Sequence, residues 1–447
     1  MNHATRIHTR LAALAVLVLG CARAGVLPDD RADVLFHRYT GGGITIQGPS
    51  ILVRKKFGDH ISLAYNHYED MISGASIDVI TQASPYKEHR KQDSLSVDVL
   101  HGKTTYSAGY IGSKENDYKA TTAFASVSQD MFGDLTNISF GVTRGWDKVG
   151  ELGTLLNDAV ERRNWQIGLS QILTRNLLLS MNFETSESEG FLNNPYRQVR
   201  YSDAQAALGY SYEKEKYPHT RTGNAGSGQL KYYLPWHAAV SGSYRFFADT
   251  WGIRANTAEL GYTQPLFHSW TLDTHVRLYS QNQADFYSDL FPGQDAQNFE
   301  ARDRELASFK NLTMGIGATW EYHVSRFSWL QKGTINLRWD RMHINYDDFR
   351  DLRVQGVAPG SEPLYTLDAS ILQDERITVN AIAPGPFETK LSAAKMAKDR
   401  DAIEAACPLG RIGEPTDMAG IAIYLASAAA NYVTGAIIPV DGGISIS

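Results

Sequence analysis

Cysteine is almost missing from this chain. Cys21 and Cys407 are the only two in 447 residues, so residues 25–373 carry no thiol and owe nothing to disulfides. An exported chain built this way cannot be trapped in wrong pairings in an oxidising compartment. No run of 18 apolar residues occurs, which excludes a helical membrane span. No extended Lys/Arg cluster offsets a net charge of −6, so no nucleic-acid partner is expected. The 13 histidines show no metal-ligand spacing. No glycine-rich turn opens a helix; Gly41-Gly-Gly43 precedes a strand. Nothing there would cradle a dinucleotide pyrophosphate, and no cofactor is expected. The mean hydropathy of −0.31 does not exclude a membrane barrel, because half of each of its strands faces a polar lumen.

The N-terminus carries Arg6 and Arg10, an apolar run from Leu11 to Leu19, and Ala22-Arg23-Ala24. That order of features reads as a secretory signal peptide over residues 1–24, too short in its apolar part to span a bilayer. Val18-Leu19-Gly20-Cys21 also reads as a lipoprotein processing site.

Beyond it, apolar and polar residues alternate with period two. Leu95, Val97 and Val99 alternate with Ser94, Ser96 and Asp98. Trp165, Ile167 and Leu169 alternate with Gln166, Gly168 and Ser170. Met314, Ile316, Ala318 and Trp320 alternate with Thr313, Gly315, Gly317 and Thr319. Successive side chains of a strand point to opposite faces, so each such segment has one apolar and one polar face.

A soluble sandwich would alternate in the same way, but three features favour a membrane barrel. Charges sit mid-strand on the polar face: Asp98, Arg245, Asp273, Arg277, Arg338 and Asp340 would line a lumen. Aromatics cluster at strand ends, as in Tyr65/Tyr68, Tyr106/Tyr110, Tyr244/Phe246/Phe247 and Trp320/Tyr322, where interfacial girdles would lie. Connections alternate between tight turns, such as Gly58-Asp59 and Gly102-Lys103, and long loops over 66–92, 145–162, 184–204, 281–306 and 346–363. Short turns at one end and long loops at the other are the plan of an outer-membrane barrel.

Four stretches carry a resemblance. Gly25-Val-Leu-Pro-Asp-Asp-Arg31-Ala-Asp33-Val-Leu, Ile51-Leu-Val-Arg54-Lys-Lys56-Phe-Gly58, Gly190-Phe-Leu-Asn193-Asn-Pro195-Tyr-Arg197 and Ala284-Asp285-Phe-Tyr-Ser-Asp-Leu-Phe291 resemble an uncharacterised proteobacterial family, a domain of unknown function taken to be an outer-membrane barrel. The resemblance implies location and architecture and carries no activity. In such a barrel the strand Tyr365–Gln373 would end the chain and close against the first. Here it runs on into something else, which leaves closure an open question.

After Asp374 the pattern turns Ala- and Ile-rich and helical, with Phe387, Tyr424 and Tyr432 as its only aromatics. Ile377-Thr-Val-Asn380-Ala-Ile-Ala-Pro384-Gly385-Pro386, Thr389, Pro408-Leu-Gly410-Arg411-Ile-Gly413-Glu-Pro415 and Tyr432-Val-Thr-Gly435 through Val440-Asp441-Gly442-Gly443 resemble the tail of a short-chain dehydrogenase/reductase. The resemblance implies that Pro384, Gly385 and Thr389 are remnants of a nicotinamide site. The chemistry also needs a Tyr acid/base with a Lys four residues on, and a Ser. Tyr212-Glu-Lys-Glu-Lys216 has that spacing but sits in a charged loop with no appropriate helix. The tail is therefore expected to catalyse nothing, as a strand-and-helix piece with its apolar faces uncovered.

The reading is all-β: a transmembrane antiparallel β-barrel of about 14 to 16 strands over residues 25–373, followed by a truncated α/β, Rossmann-type fragment over 374–447. Its expected partners are outer-membrane lipid and the barrel-assembly machinery. Its expected role is a passive pore or a structural barrel, with a salt-bridged lumen as the plainer reading of the six charges. Glu300-Ala-Arg302-Asp-Arg304-Glu305 reads as a solvated loop, with a divalent-ion or lipopolysaccharide contact as the alternative. The rival functions are an NAD(P)-dependent reductase and a soluble, glycan-binding β-protein.

Overall fold

The computed structural model describes residues 26–41, 44–74, 86–151, 153–267, 269–327, 330–354 and 356–376, and in the tail 381–384, 386–387, 400–401, 403–414, 416–417 and 437–442. The chain divides into two compact units between Arg376 and Ile377.

The first unit is a closed antiparallel barrel of 16 strands. In chain order they are β1 (Arg31–Gly41), β2 (Ile44–Phe57), β3 (Ile61–Gly74), β4 (Tyr86–His101), β5 (Thr104–Lys114), β6 (Tyr118–Met131), β7 (Thr136–Gly150), β8 (Asn157–Thr174) and β9 (Leu177–Gly190). A short hairpin, β10 (Gln198–Ser202) and β11 (Tyr210–Lys214), stands apart from the wall. The wall resumes with β12 (Thr220–Tyr233), β13 (Ala239–Asp249), β14 (Arg254–Leu266), β15 (Trp270–Gln281), β16 (Phe309–Phe327), β17 (Leu330–Arg350) and β18 (Leu364–Arg376). Each wall strand pairs with its neighbour in sequence, except that β9 pairs with β12 across the hairpin.

The ring closes between β18 and β1, with Phe36 opposite Asp374 and Gly41 opposite Ala369. The last barrel strand therefore finds its partner although the chain continues past it. Two of the tight turns are made by Gly58 (φ 63°) and Gly102 (φ 61°), in the left-handed conformation that a Cβ disfavours.

The alternation becomes two faces of one wall. Leu95, Ile167, Phe183, Leu260, Leu278 and Met314 point outward and are exposed, while the polar residues between them point in. Two of the four girdle groups are split by the same rule. Tyr65, Tyr106, Tyr110, Tyr244, Phe246 and Trp320 face outward, whereas Tyr68 faces inward and stacks on His37, and Phe247 packs against a core inside the barrel.

The strands run further than expected. Within the stretches assigned to loops at 66–92 and 145–162, β3 continues to Gly74, β4 begins at Tyr86, β7 continues to Gly150 and β8 begins at Asn157. At 11 to 21 residues the wall strands mostly exceed the 9–11 that a tilted transmembrane strand needs. Toward the end with the long connections, the outer face changes from apolar to ionic. There His67 and Tyr65 meet Asp93, Arg144 and Arg163 meet Glu161, and Arg341 and His343 meet Asp368.

In the second unit, β19 (Ala381–Pro384) and β20 (Ile437–Val440) form a two-stranded parallel sheet. In it Ala381 stands opposite Ile437 and Pro384 opposite Val440. Cys407 is buried, its Sγ 3.4 Å from the carbonyl of Gly442, and the Leu409 N–H donates to the same oxygen.

Candidate functional site

The barrel's mouth at the long-connection end is filled by its own loops. Residues 191–219, which include the β10–β11 hairpin, and residues 282–308 fold inward onto side chains of the wall. One continuous buried cluster joins them. It takes Val149 and Val160 from β7 and β8, Leu192, Tyr217, Phe286, Tyr287 and Leu306 from the loops, and Ile344, Tyr346, Tyr365 and Leu367 from β17 and β18. β8 and β18 stand eight strands apart whichever way the ring is counted. The loops therefore bridge opposite walls.

Charged side chains lock this plug. Arg200, on β10, is fully buried. It reaches Asp289 of the second loop at 2.5 Å and grips Glu362, between β17 and β18, with two nitrogens at 2.5 and 3.0 Å. Such a forked grip on a carboxylate is specific in geometry as well as strong. Asp289 also accepts from Arg302 Nε and Nη2 at 3.0 and 2.8 Å and from the Arg350 N–H. Burial alone would raise the Asp289 carboxyl, but the Arg302 and Arg200 guanidiniums outweigh it and hold it below its ordinary value. Glu362 is lowered in the same way: burial works against it, and the Arg200 hydrogen bonds win.

A second knot lies beside the first. Arg197 and Asp303, both buried, pair at 2.9 Å, and Asp303 also accepts from the Glu305 N–H to cap the short turn Arg304–Leu306. Glu215 accepts from the Arg302 N–H and from Tyr217 Oη, each at 2.8 Å. Burial pushes the Glu215 carboxyl up to about 7; the negative charge of Asp303 adds to this and Arg197 opposes it.

These contacts overturn one expectation. Glu300, Arg302, Asp303 and Arg304 are not a solvated loop but are among the most buried charges in the molecule. A run of alternating charge sign looks water-facing in sequence. It is buried here because Asp289, Glu215 and Arg197 complement it from distant parts of the chain.

Below the plug the lumen holds the six mid-strand charges, each on the face opposite the exposed apolar row. Asp98 accepts from Ser107 Oγ at 2.6 Å. Arg245 lies 3.5 Å from Glu184, and Thr263 donates to Asp273 at 2.7 Å. Arg338 and His275 converge on Asp340 at 3.2 and 3.5 Å. Arg277 has no ionic partner among the described residues. The six do not form one cluster.

The sequence reading missed the inward pair of His37 with Asp70 (2.7 Å), where Asp70 is fully buried, and the whole Arg200 network. Mid-strand charge on the inner face was the available signal for the first; the second had none. Tyr212, of the chance Tyr–Lys spacing, lies on the β11 strand of a hairpin, not on a helix. Of the positions expected to be nicotinamide remnants, Pro384 ends β19, and Gly385 and Thr389 lie outside the described residues.

Comparison with known proteins gives two different families along the chain, the second match beginning within the barrel's last strand. Residues 154–340 match the family model described as a protein of unknown function, DUF3570, and residues 364–445 match that of an Enoyl-(Acyl carrier protein) reductase. The tail is 39% identical over 94 residues to the rhamnolipids biosynthesis 3-oxoacyl-[acyl-carrier-protein] reductase of Pseudomonas aeruginosa, covering 20% of this chain and 36% of that one. It is 47% identical over 75 residues to 3beta-hydroxysteroid dehydrogenase 1 of Eggerthella lenta, covering 16% and 29%. The chain thus spans about a third of the length of these curated relatives.

Among solved structures, a bacterial polysaccharide outer membrane secretin aligns over 78% of this chain and 100% of its own, at 8% identity and a TM-score of 0.42. The siderophore receptor PirA of Pseudomonas aeruginosa aligns over 78% and 62%, at 11% identity and a TM-score of 0.38. The chain is similar to a family of unknown function through the middle of its barrel and to the closing part of a reductase in its tail.

Proposed function

We propose that the barrel sits in a bacterial outer membrane and that its loops hold it shut, making it a closed passive conduit rather than an open pore. The observation that carries this reading is the buried cluster touching walls on opposite sides of the ring, pinned by Arg200 between Asp289 and Glu362. A ring of 16 strands would otherwise leave an aqueous channel. The membrane part rests on the exposed outward apolar rows and on the ionic outer rim above them, where headgroups would lie.

Export through the N-terminal signal and insertion by the barrel-assembly machinery belong to the same reading. In this reading the chain's ends leave the wall on the short-turn side, the periplasmic one.

Conductance of the refolded full chain in planar bilayers is the test. Wild type should stay closed with rare brief steps, and Arg200→Ala should give stable unit steps. Steady large steps from wild type would refute the closed state, and a compact monomer without detergent would refute the membrane. The tail, in this reading, supplies no reductase chemistry, because no phosphate-cradling turn and no Ser, Tyr and Lys in working arrangement precede it. Titration with NAD(P)H should leave nicotinamide fluorescence unchanged.

A further inference from the structure

We infer that a cleft on the rim of the mouth binds a saccharide. Two cavities meet there at Asp285. One, of about 380 Å³, is walled by Pro218, Trp251, Phe286 and Phe299, with the amides of Gln297 and Asn298 at its edge. The other, of about 830 Å³, is polar, lined by Arg254, Asn256, Ser280 and Asn282 among others. Both volumes lie in the range of small-ligand sites.

The first cavity has an unusual floor for a loop region. Trp251 is buried, its Nε1 donating to the Thr220 carbonyl at 2.9 Å. Tyr217 and Phe286 pack edge-on against it, and the Arg221 guanidinium lies 4.4 Å from its ring centroid. Phe286 in turn supports Phe299 edge-on at 6.5 Å. Phe299 is 41% exposed, an aromatic face fixed in place and left bare. The Asp285 carboxylate and the Asn298 amide, which line this cavity, and the Arg254 guanidinium, which lines the second one with Asp285, have no side-chain partner among the described residues.

Gly252 (φ 83°) lets the Asp285 carboxylate lie against the β13–β14 turn, where a methyl group would collide with it. The position of Asp285 is therefore built in.

A rigid aromatic face beside unpaired amide, carboxylate and guanidinium groups fits one chemistry best. A pyranose ring presents a C–H face of positive partial charge to the negative face of an aromatic ring, and a rim of hydroxyls that both donate and accept. A plain acyl chain would leave the amides unpaired, at the usual cost of desolvated polar groups. The second cavity, on the wall's outer side through Arg254, Asn256 and Ser280, takes the next sugar. The saccharide is either the sugar part of a lipid in the surrounding leaflet or a free oligosaccharide.

Saturation-transfer NMR on the full chain, refolded in detergent free of lipopolysaccharide, separates these sources with two probes. One is core oligosaccharide released by mild acid; the other is intact rough-type lipopolysaccharide. We expect transfer to pyranose ring protons, weakened about tenfold or more by Phe299→Ala and by Asn298→Ala, with heat-modifiable gel migration unchanged in both variants. Transfer with intact lipopolysaccharide alone supports a leaflet sugar, and transfer with both probes supports a free one. No transfer from either probe, or transfer that survives both substitutions, overturns the inference. The readout does not involve conductance, so failure here leaves the closed-conduit reading standing, and the reverse.

Discussion

The plug and the wall beneath it use charge in opposite ways. In the wall, Arg338 and Arg245 are about half exposed to the lumen and make long contacts, of 3.2 Å or more, with Asp340 and Glu184. In the plug, Arg200, Arg302 and Glu362 are buried and Asp289 nearly so, and each joins two or more partners. Water can replace the first kind of pair at little cost. It cannot replace the second without opening the mouth, because a buried charge deprived of its partner keeps its full desolvation penalty.

The sharpest way to break this contrast is Arg200→Ala. It leaves Glu362 without its forked partner and Asp289 held by Arg302 without Arg200, and we expect the docked loops to lose about 3–5 kcal/mol. Limited proteolysis should then cut within 191–219 and 282–308, sites protected in wild type, while the wall survives.

Next in size is the effect of pH through Glu215. Burial pushes its carboxyl up to about 7 in the plug, against an ordinary glutamate value of 4.5 once released. The docked form therefore holds a proton that the released form has lost between these values. Stability from this group is fully present below about 4.5 and is lost as pH rises through about 7, by up to about 3 kcal/mol at 1.36 kcal/mol per unit. The neighbours facing Glu215 are Arg197, Asp303, Arg302 and Tyr217. Channel opening should become more frequent from pH 5 to pH 8, and Glu215→Gln should flatten the trend. A slope of opposite sign would remove Glu215 from the latch.

Smaller again is Arg338→Ala in the wall. With its side chain half exposed, the pair should contribute less than about 1 kcal/mol. Thermal unfolding should barely move, while in an Arg200→Ala background the ion selectivity of the open lumen should shift toward cations. Removing residues 377–447 should change least. All the pairing that closes the ring lies at or before Arg376, so the truncated barrel should keep its heat-modifiable migration.

The wall was legible because its rule is local. A strand with one face outward writes its own alternation, and Leu95-Ser-Val97-Asp-Val99 is enough to read it. The strand ends were not legible for the same reason. Above the apolar belt, Arg144, Glu161 and Arg163 face outward as polar residues, so the alternation stops while the strand continues, and 145–162 reads as a loop. Closure was invisible because it depends on Phe36 to Gly41 meeting residues more than 300 positions away. The plug was misread because a charge carries no mark of its partner. Arg302 next to Asp303 reads as solvated until Asp289 and Glu215 are known to stand beside them.

A thin-walled hoop of sixteen staves is easily squeezed out of round, since nothing in a single layer resists flattening across its width. Tyr217, Phe286 and Tyr287 act as the hub of a spoke that ties Val160 on one side to Tyr365 and Leu367 on the other. Cutting that spoke should do more than free an aperture. It should let the whole cross-section breathe, so that the seam between the first and last staves, far from the cut in sequence, feels the change in load.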